Sequence, residues 1–337
     1  MPILTTLNDS VSAGLSWKEQ FKNAIRDPHL LAKRLGIAKP SAAQITACNS
    51  FGLFAPEPFL ARIDRTDPQD PLLRQILPIA EENENPAGFT TDPLAENEAI
   101  RVEGLLQKYR GRVLLITNSV CAINCRYCFR RHFPYEQTPH SQSQWDAAIS
   151  EIASDRTIEE VIFSGGDPLT LVDERLVPLV KAVDGIAHVQ RIRFHSRLPI
   201  VIPDRVTDSF CDAITNLRAQ AVMVVHCNHA NELDHAVQTA LAKLARARCQ
   251  LLNQAVLLRG VNDSSRVLIE LSKRLFDCGV LPYYLHQLDR VQGAAHFEVP
   301  EAKGKKYIAE MRAQLPGYLV PRYAKEEPGQ PNKTILL

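Results

Sequence analysis

From Arg112 onward the chain alternates, six times over, between a short β-rich run and a longer stretch of helical periodicity. The strand candidates are residues 113–117, 160–164, 190–195, 222–226, 251–257 and 282–288. The helical stretches are 145–153, 174–183, 205–217, 233–246, 265–276 and 303–314. Strands separated by helices of this length run parallel, because each helix carries the chain back to the end where the next strand starts. Six such units are fewer than the eight that close a barrel, so the pattern predicts an α/β fold, an open and partial (β/α)6 barrel. Its site is expected at the C-terminal ends of the strands, where loops converge.

Residues 1–100 read differently. Helical spacing at 17–25 and 29–35 gives way to Pro56, Pro58, Pro68, Pro71, Pro78, Pro86 and Pro93, which interrupt regular structure. This predicts an N-terminal helical and loop extension over 1–100, packed on a core over 101–337. With 337 residues, 45% of them hydrophobic, the chain has material for a full core. The formal net charge of +1 gives no global field that would draw it to nucleic acid or an anionic membrane. The start MPILTTLNDS lacks a basic segment followed by an apolar run, and no segment approaches the ~18 apolar residues that span a bilayer. A cytoplasmic protein with neither a nucleic-acid nor a membrane partner is expected.

Eight cysteines in so long a chain are too sparse for a disulfide scaffold. Cys48, Cys211, Cys227, Cys249 and Cys278 are scattered through apolar or helical text and read as small core residues. Cys121, Cys125 and Cys128 crowd together directly after the first strand candidate, where a loop can turn them toward one point. Soft thiolates select zinc or iron–sulfur clusters. A four-iron cluster on three thiolates leaves one iron open to a small molecule. Structural zinc is the other arrangement, with His132, four positions after Cys128, completing a Cys3His tetrahedron. Tyr127 and Phe129 suit a sheltered cluster. Arg126, Arg130 and Arg131 either form a solvated basic face or meet carboxylates and phosphates.

The string CAINCRYCFRR resembles the signature of radical S-adenosylmethionine enzymes. Ser164, Gly165, Gly166, Asp167 and Pro168, after the run VIF, resemble that family's glycine motif, which meets the amino group of the methionine moiety. Glycine there lets backbone carbonyls approach an amine that a Cβ would hold off. Over residues 100–335, Lys108, Tyr109, Arg112, Arg130 and the runs HSRLPIVIP, NHANE and LNQAVLLRGVND are similar to lysine 2,3-aminomutases. NCRYCFRRHFPY, PYYLH and VQGAAHF are similar to the bacterial branch that makes (R)-β-lysine for elongation factor P.

The resemblance implies a radical S-adenosylmethionine barrel with a 4Fe-4S cluster on Cys121, Cys125 and Cys128. It implies S-adenosyl-L-methionine at Ser164, Gly165, Gly166, Asp167 and Gln254. It implies pyridoxal 5'-phosphate in a Schiff base with Lys333, contacted by Lys108, Tyr109 and Arg112. L-lysine would place its carboxylate on Arg130 and its distal ammonium at Asp289 and Glu326. A homo-oligomer, and a ligase that takes the product, are further implications. Glu326 stands seven positions before Lys333, where the fermentative members carry aspartate, and their glycine-rich run is reduced to Gly329 in EPGQPNKT. The chemistry agrees with the cofactors, since the β-hydrogen of lysine is not acidic and a 1,2 amino shift has no low-barrier polar route. A different amino acid as substrate, or a zinc-stabilised binding module, are the alternatives.

Overall fold

The computed structural model describes residues 14–133 and 142–337. Its centre is one sheet of ten strands, each hydrogen-bonded to the next in chain order. These are β1 (Ile100–Val102), β2 (Leu105–Tyr109), β3 (Arg112–Ile116), β4 (Glu160–Ser164) and β5 (Arg191–Ser196), followed by β6 (Gln220–Val225), β7 (Gln250–Val256), β8 (Leu281–His286), β9 (Arg322–Lys325) and β10 (Thr334–Ile335). Strands β3 to β9 are parallel. β1 and β2 fold back antiparallel at one edge and β10 does so at the other. The edges do not meet, so the barrel is open, as the six-unit pattern requires.

The strand sequences show which faces of the sheet are covered. β4 is buried at every position and β6 at all but its first, the continuous apolar text of strands covered on both faces. β5 alternates instead, with Ile192 and Phe194 buried while Arg193 and His195 are half-buried. The two-residue pleat sends Phe194 outward, where it packs against Phe163 and against Phe210 of the helix Asp208–Thr215, and sends Arg193 and His195 into the lumen. Each buried aromatic of this layer contributes about 1.5–3 kcal/mol. The outer helices begin on side-chain caps: Thr207 takes the amide of Phe210, Asp234 that of Val237 and Ser264 that of Val267.

The six predicted strands all form. β1, β2, β9 and β10 are additions, and Lys108 and Tyr109 lie inside β2, not ahead of the sheet. The extension carries the helices Trp17–Lys22, Pro28–Leu35 and Ala42–Ser50, with short turns among the prolines. Its Leu31, Phe59, Leu60, Leu72 and Ile76 are fully buried in the same apolar cluster as the barrel helices. It therefore shares the core of the barrel.

Candidate functional site

At the C-terminal ends of the parallel strands a cavity of about 520 Å³ opens into the barrel. Cys121, Cys125, Cys128, Lys108, Tyr109, Arg112, Arg130, Ser164, Gly165, Gly166, Asp167, Gln254, Asp289, Glu326 and Lys333 all line it. Every position singled out from the sequence for a cofactor or substrate thus faces one space.

The loop after β3 presents the cysteines. Arg126 is fully buried and grips Glu82 of the extension through Nε (2.8 Å) and Nη2 (2.6 Å), while Nη1 donates to the carbonyl of Phe51 at 2.5 Å. Arg131 donates to the same carboxylate at 2.9 Å and to the Gly293 carbonyl at 2.9 Å. These two arginines meet a carboxylate and do not form a solvated face. Removing a buried partner of this kind costs about 3–5 kcal/mol, so Glu82 fixes the loop. The end of β4 docks on the same loop, with Gly166 N donating to Asn118 O at 2.9 Å and Asp167 N to Val120 O at 2.8 Å. A Cβ on Gly165 or Gly166 would lie 2.4 Å from those carbonyl oxygens, and Gly165 sits at φ +120°. Glycine is thus required first by the docking of the cysteine loop.

Burial pushes the Cys121 thiol up, helped by the charge of Cys128, and pushes Cys128 up to about 12, helped by Cys125. All three cysteines are half-buried and line the cavity. Cys125 Sγ accepts a hydrogen bond from Arg197 Nη1 at 2.7 Å. Among the described residues no three such side chains already stand around a common point at metal-ligand geometry. The donor set is nevertheless that of an iron–sulfur cluster with one open iron: three soft sulfurs on one loop, facing one cavity. His132 does not join them. It is exposed, its Nε2 donates to the Gln292 carbonyl at 3.2 Å, and it is absent from the cavity wall, so the Cys3His zinc arrangement is not formed. The five scattered cysteines are free, four buried and Cys211 half-buried.

A chain of alternating charge runs along the cavity wall from the cysteine loop. Arg130 donates through Nε (2.6 Å) and Nη2 (2.8 Å) to Glu96, and through Nη1 to Ser164 Oγ at 3.0 Å. Glu96 pairs onward with Lys108 at 2.9 Å, Lys108 with Glu326 at 2.8 Å, and Glu326 closely with Lys333. Burial opposes ionisation of Glu326, but the Lys333 and Lys108 ammoniums outweigh it and pull its carboxyl down to about 2. Asp289 goes the other way: burial, reinforced by Glu326, pushes it up to about 7 against the pull of Lys333 and Lys108. Arg112 lies 4.6 Å over the ring of Tyr109. Burial holds His226 down to about 4 and His286 down to about 3, so both are neutral bases or donors near neutral pH.

Asp167 is committed elsewhere. Its carboxylate accepts from Ser196 Oγ (2.7 Å) and from the amides of Arg197 (2.8 Å), Leu169 (3.0 Å) and Leu198 (3.1 Å), locking the exit of β5. Gln254 is buried on β7 and contributes to the wall. Sequence reading missed Glu96, Arg193, Arg197, His195 and His286. Arg193 and His195 carried a signal, polar residues at period two within an apolar strand, whereas Glu96 carried none. The backbone before Glu96 is unusual: Ala95 holds a left-handed φ of 47°, a conformation that costs a non-glycine residue about 1–2 kcal/mol.

A partial parallel barrel with three cysteines on the loop after its first parallel strand defines a radical S-adenosylmethionine protein, and residues 115–271 match the model of the Radical SAM superfamily. The chain is 47% identical to an L-lysine 2,3-aminomutase of Haemophilus influenzae over 95% of both chains, and 45% identical to that of Escherichia coli over 95% of this chain and 94% of the other. An L-lysine 2,3-aminomutase of Clostridium subterminale is 35% identical over 95% of this chain and 77% of its own length. The chain belongs to the L-lysine 2,3-aminomutase family.

Proposed function

We propose that this protein moves the α-amino group of L-lysine to the β-carbon, and that the cavity holds a 4Fe-4S cluster, S-adenosylmethionine and pyridoxal phosphate together with the substrate. The observation that carries the reading is that three cysteines, the half-buried Lys333 and two acids with carboxyls shifted in opposite directions share one 520 Å³ space. When bound, the cofactors supply a radical able to remove a non-acidic hydrogen and a carbonyl carrier for the migrating nitrogen. The chain's own residues bind and orient. Lys333, beside β10, is the amine for the aldehyde, and Lys108 with Arg112 offers cations for its phosphate. Arg130 suits the substrate carboxylate through a planar fork already braced by Glu96. Asp289 and Glu326 receive the distal ammonium, while Ser164, Gly165, Gly166 and Gln254 face S-adenosylmethionine.

In the finer reading the product is (R)-β-lysine, taken up by a ligase that modifies elongation factor P, and the protein is a cytoplasmic homo-oligomer. The similarity of NCRYCFRRHFPY, PYYLH and VQGAAHF to that branch supports it. Among the described residues no helix is long and apolar enough to cross a membrane. Residues 1–100 act in this reading as an extension that braces the cysteine loop through Glu82.

The test is a panel. Reconstituted, reduced protein is given S-adenosylmethionine, pyridoxal phosphate and, in parallel, lysine, arginine, glutamate or alanine under anaerobic conditions. β-Lysine is the expected product, at rates at least a hundredfold above those of the other β-amino acids. Preferred conversion of glutamate or alanine would remove the role of the acid pair and with it this assignment.

A further inference from the structure

Arg197 follows directly on β5 and lines the cavity, with the residue only 6% exposed. Nη1 donates to Cys125 Sγ, and Nη2 donates to Glu232 Oε2 at 2.9 Å and to Gln75 Oε1 at 2.6 Å. Nε finds no acceptor among the described residues. The backbone is held as firmly, since Arg197 N donates to the buried carboxylate of Asp167. Glu232 behind it is fully buried, and its Oε1 accepts from the amides of Asn228 (2.9 Å) and His229 (3.1 Å) and from Gln75 Nε2 (3.1 Å). A cation is thus fixed against one sulfur of the cysteine loop, and a fixed anion stands on its far side.

Donors and positive charge at a cluster sulfur stabilise the more negative, reduced cluster, and buried charges act through a lower dielectric than water. We propose that Arg197 sets the reduction potential of the cluster, raising it, and that Glu232 is the counterweight that limits the rise. The inference rests on the reading that Cys125 holds cluster iron. The step concerned is the transfer of one electron from a low-potential one-electron donor to the cluster, whose charge becomes one unit more negative. No bond of the protein forms or breaks. Arg197 acts through the Cys125 sulfur and is in this sense a tuning residue. Its removal and the removal of Glu232 must then move the potential in opposite directions, which a merely structural role for either residue would not do.

The experiment is a redox titration of the reconstituted full-length protein, followed by the electron paramagnetic resonance of the reduced cluster. Arg197→Gln should lower the midpoint potential, Glu232→Gln should raise it, and Arg197→Lys, which keeps the charge, should stay nearer the parent than Arg197→Gln. Shifts of the same sign in the two glutamine variants, or none at parental iron content, overturn the proposal. If Arg197→Gln fails to retain a cluster, Glu232→Gln decides alone: a rise supports the proposal, and a fall or no change defeats it. Parent protein that takes up no iron removes the cluster reading itself, and this proposal with it.

Discussion

Replacing Cys121, Cys125 or Cys128 by alanine, one at a time, abolishes iron retention and reduces cleavage of S-adenosylmethionine to background. Each substitution takes away one of three protein ligands from a cluster whose fourth iron must stay open for the small molecule. No replacement is at hand, because among the described residues these are the only thiols on the cavity wall, and Cys48, Cys227, Cys249 and Cys278 are locked in apolar packing. His132 cannot substitute either, since its ring is turned to the Gln292 carbonyl. Iron and sulfide content after anaerobic reconstitution, together with 5'-deoxyadenosine release, are the measurements. Parental iron content and cleavage in any of the three variants would contradict the assignment.

Asp289→Asn raises the lysine concentration needed for half-maximal rate by two orders of magnitude or more. A desolvated carboxylate facing an ammonium is worth about 3–5 kcal/mol when one partner is lost, and every 1.4 kcal/mol is about tenfold. The pH dependence separates the two acids. Asp289, faced by Glu326, Lys333, Lys108 and Glu96, has its carboxyl at about 7 because burial favours the neutral form. Below that value lysine must expel a proton to bind, so its apparent affinity falls as pH falls and levels off above it, by up to about tenfold per pH unit. Glu326, at about 2, is already ionised across that range. The slope should therefore vanish in Asp289→Asn and persist in Glu326→Gln, moved to lower pH because the charge that helps raise Asp289 is gone, read as the lysine KM between about pH 5 and pH 8. A slope unchanged in Asp289→Asn would assign the proton elsewhere. Cluster assembly and uncoupled S-adenosylmethionine cleavage should survive in both variants, since neither acid touches the cysteine loop.

How much of this was legible in the sequence depended on the range of the forces involved. The six core strands announced themselves because each is a continuous or alternating apolar run next to an amphipathic helix, a local pattern. β1, β9 and β10, of two to four residues, are too short for any period to register, and β2 is interrupted by Gln107 and Lys108. The cysteines were legible through spacing. Glu82 and Glu96 were not, because their value lies in partners brought from 34 to 49 residues away. Gly165 and Gly166 were singled out for a bound amine, whereas the contact that forbids a side chain is with the backbone at Asn118 and Val120. Arg126 and Arg131 could not be told from a surface patch until Glu82 was placed beside them. The lysine ladder was partly legible: Lys108, Glu326 and Lys333 were marked, and Glu96, which joins Lys108 to Arg130, emerged only from the fold.

The most direct test of the whole account follows one atom. Lysine labelled with nitrogen-15 in its α-amino group is incubated anaerobically with the reduced, reconstituted protein, S-adenosylmethionine and pyridoxal phosphate, and the product is examined by nuclear magnetic resonance. The account predicts β-lysine with the label on the β-carbon and none released as ammonia. Label that stays on the α-carbon while S-adenosylmethionine is consumed, or that passes into solvent ammonia, would contradict it.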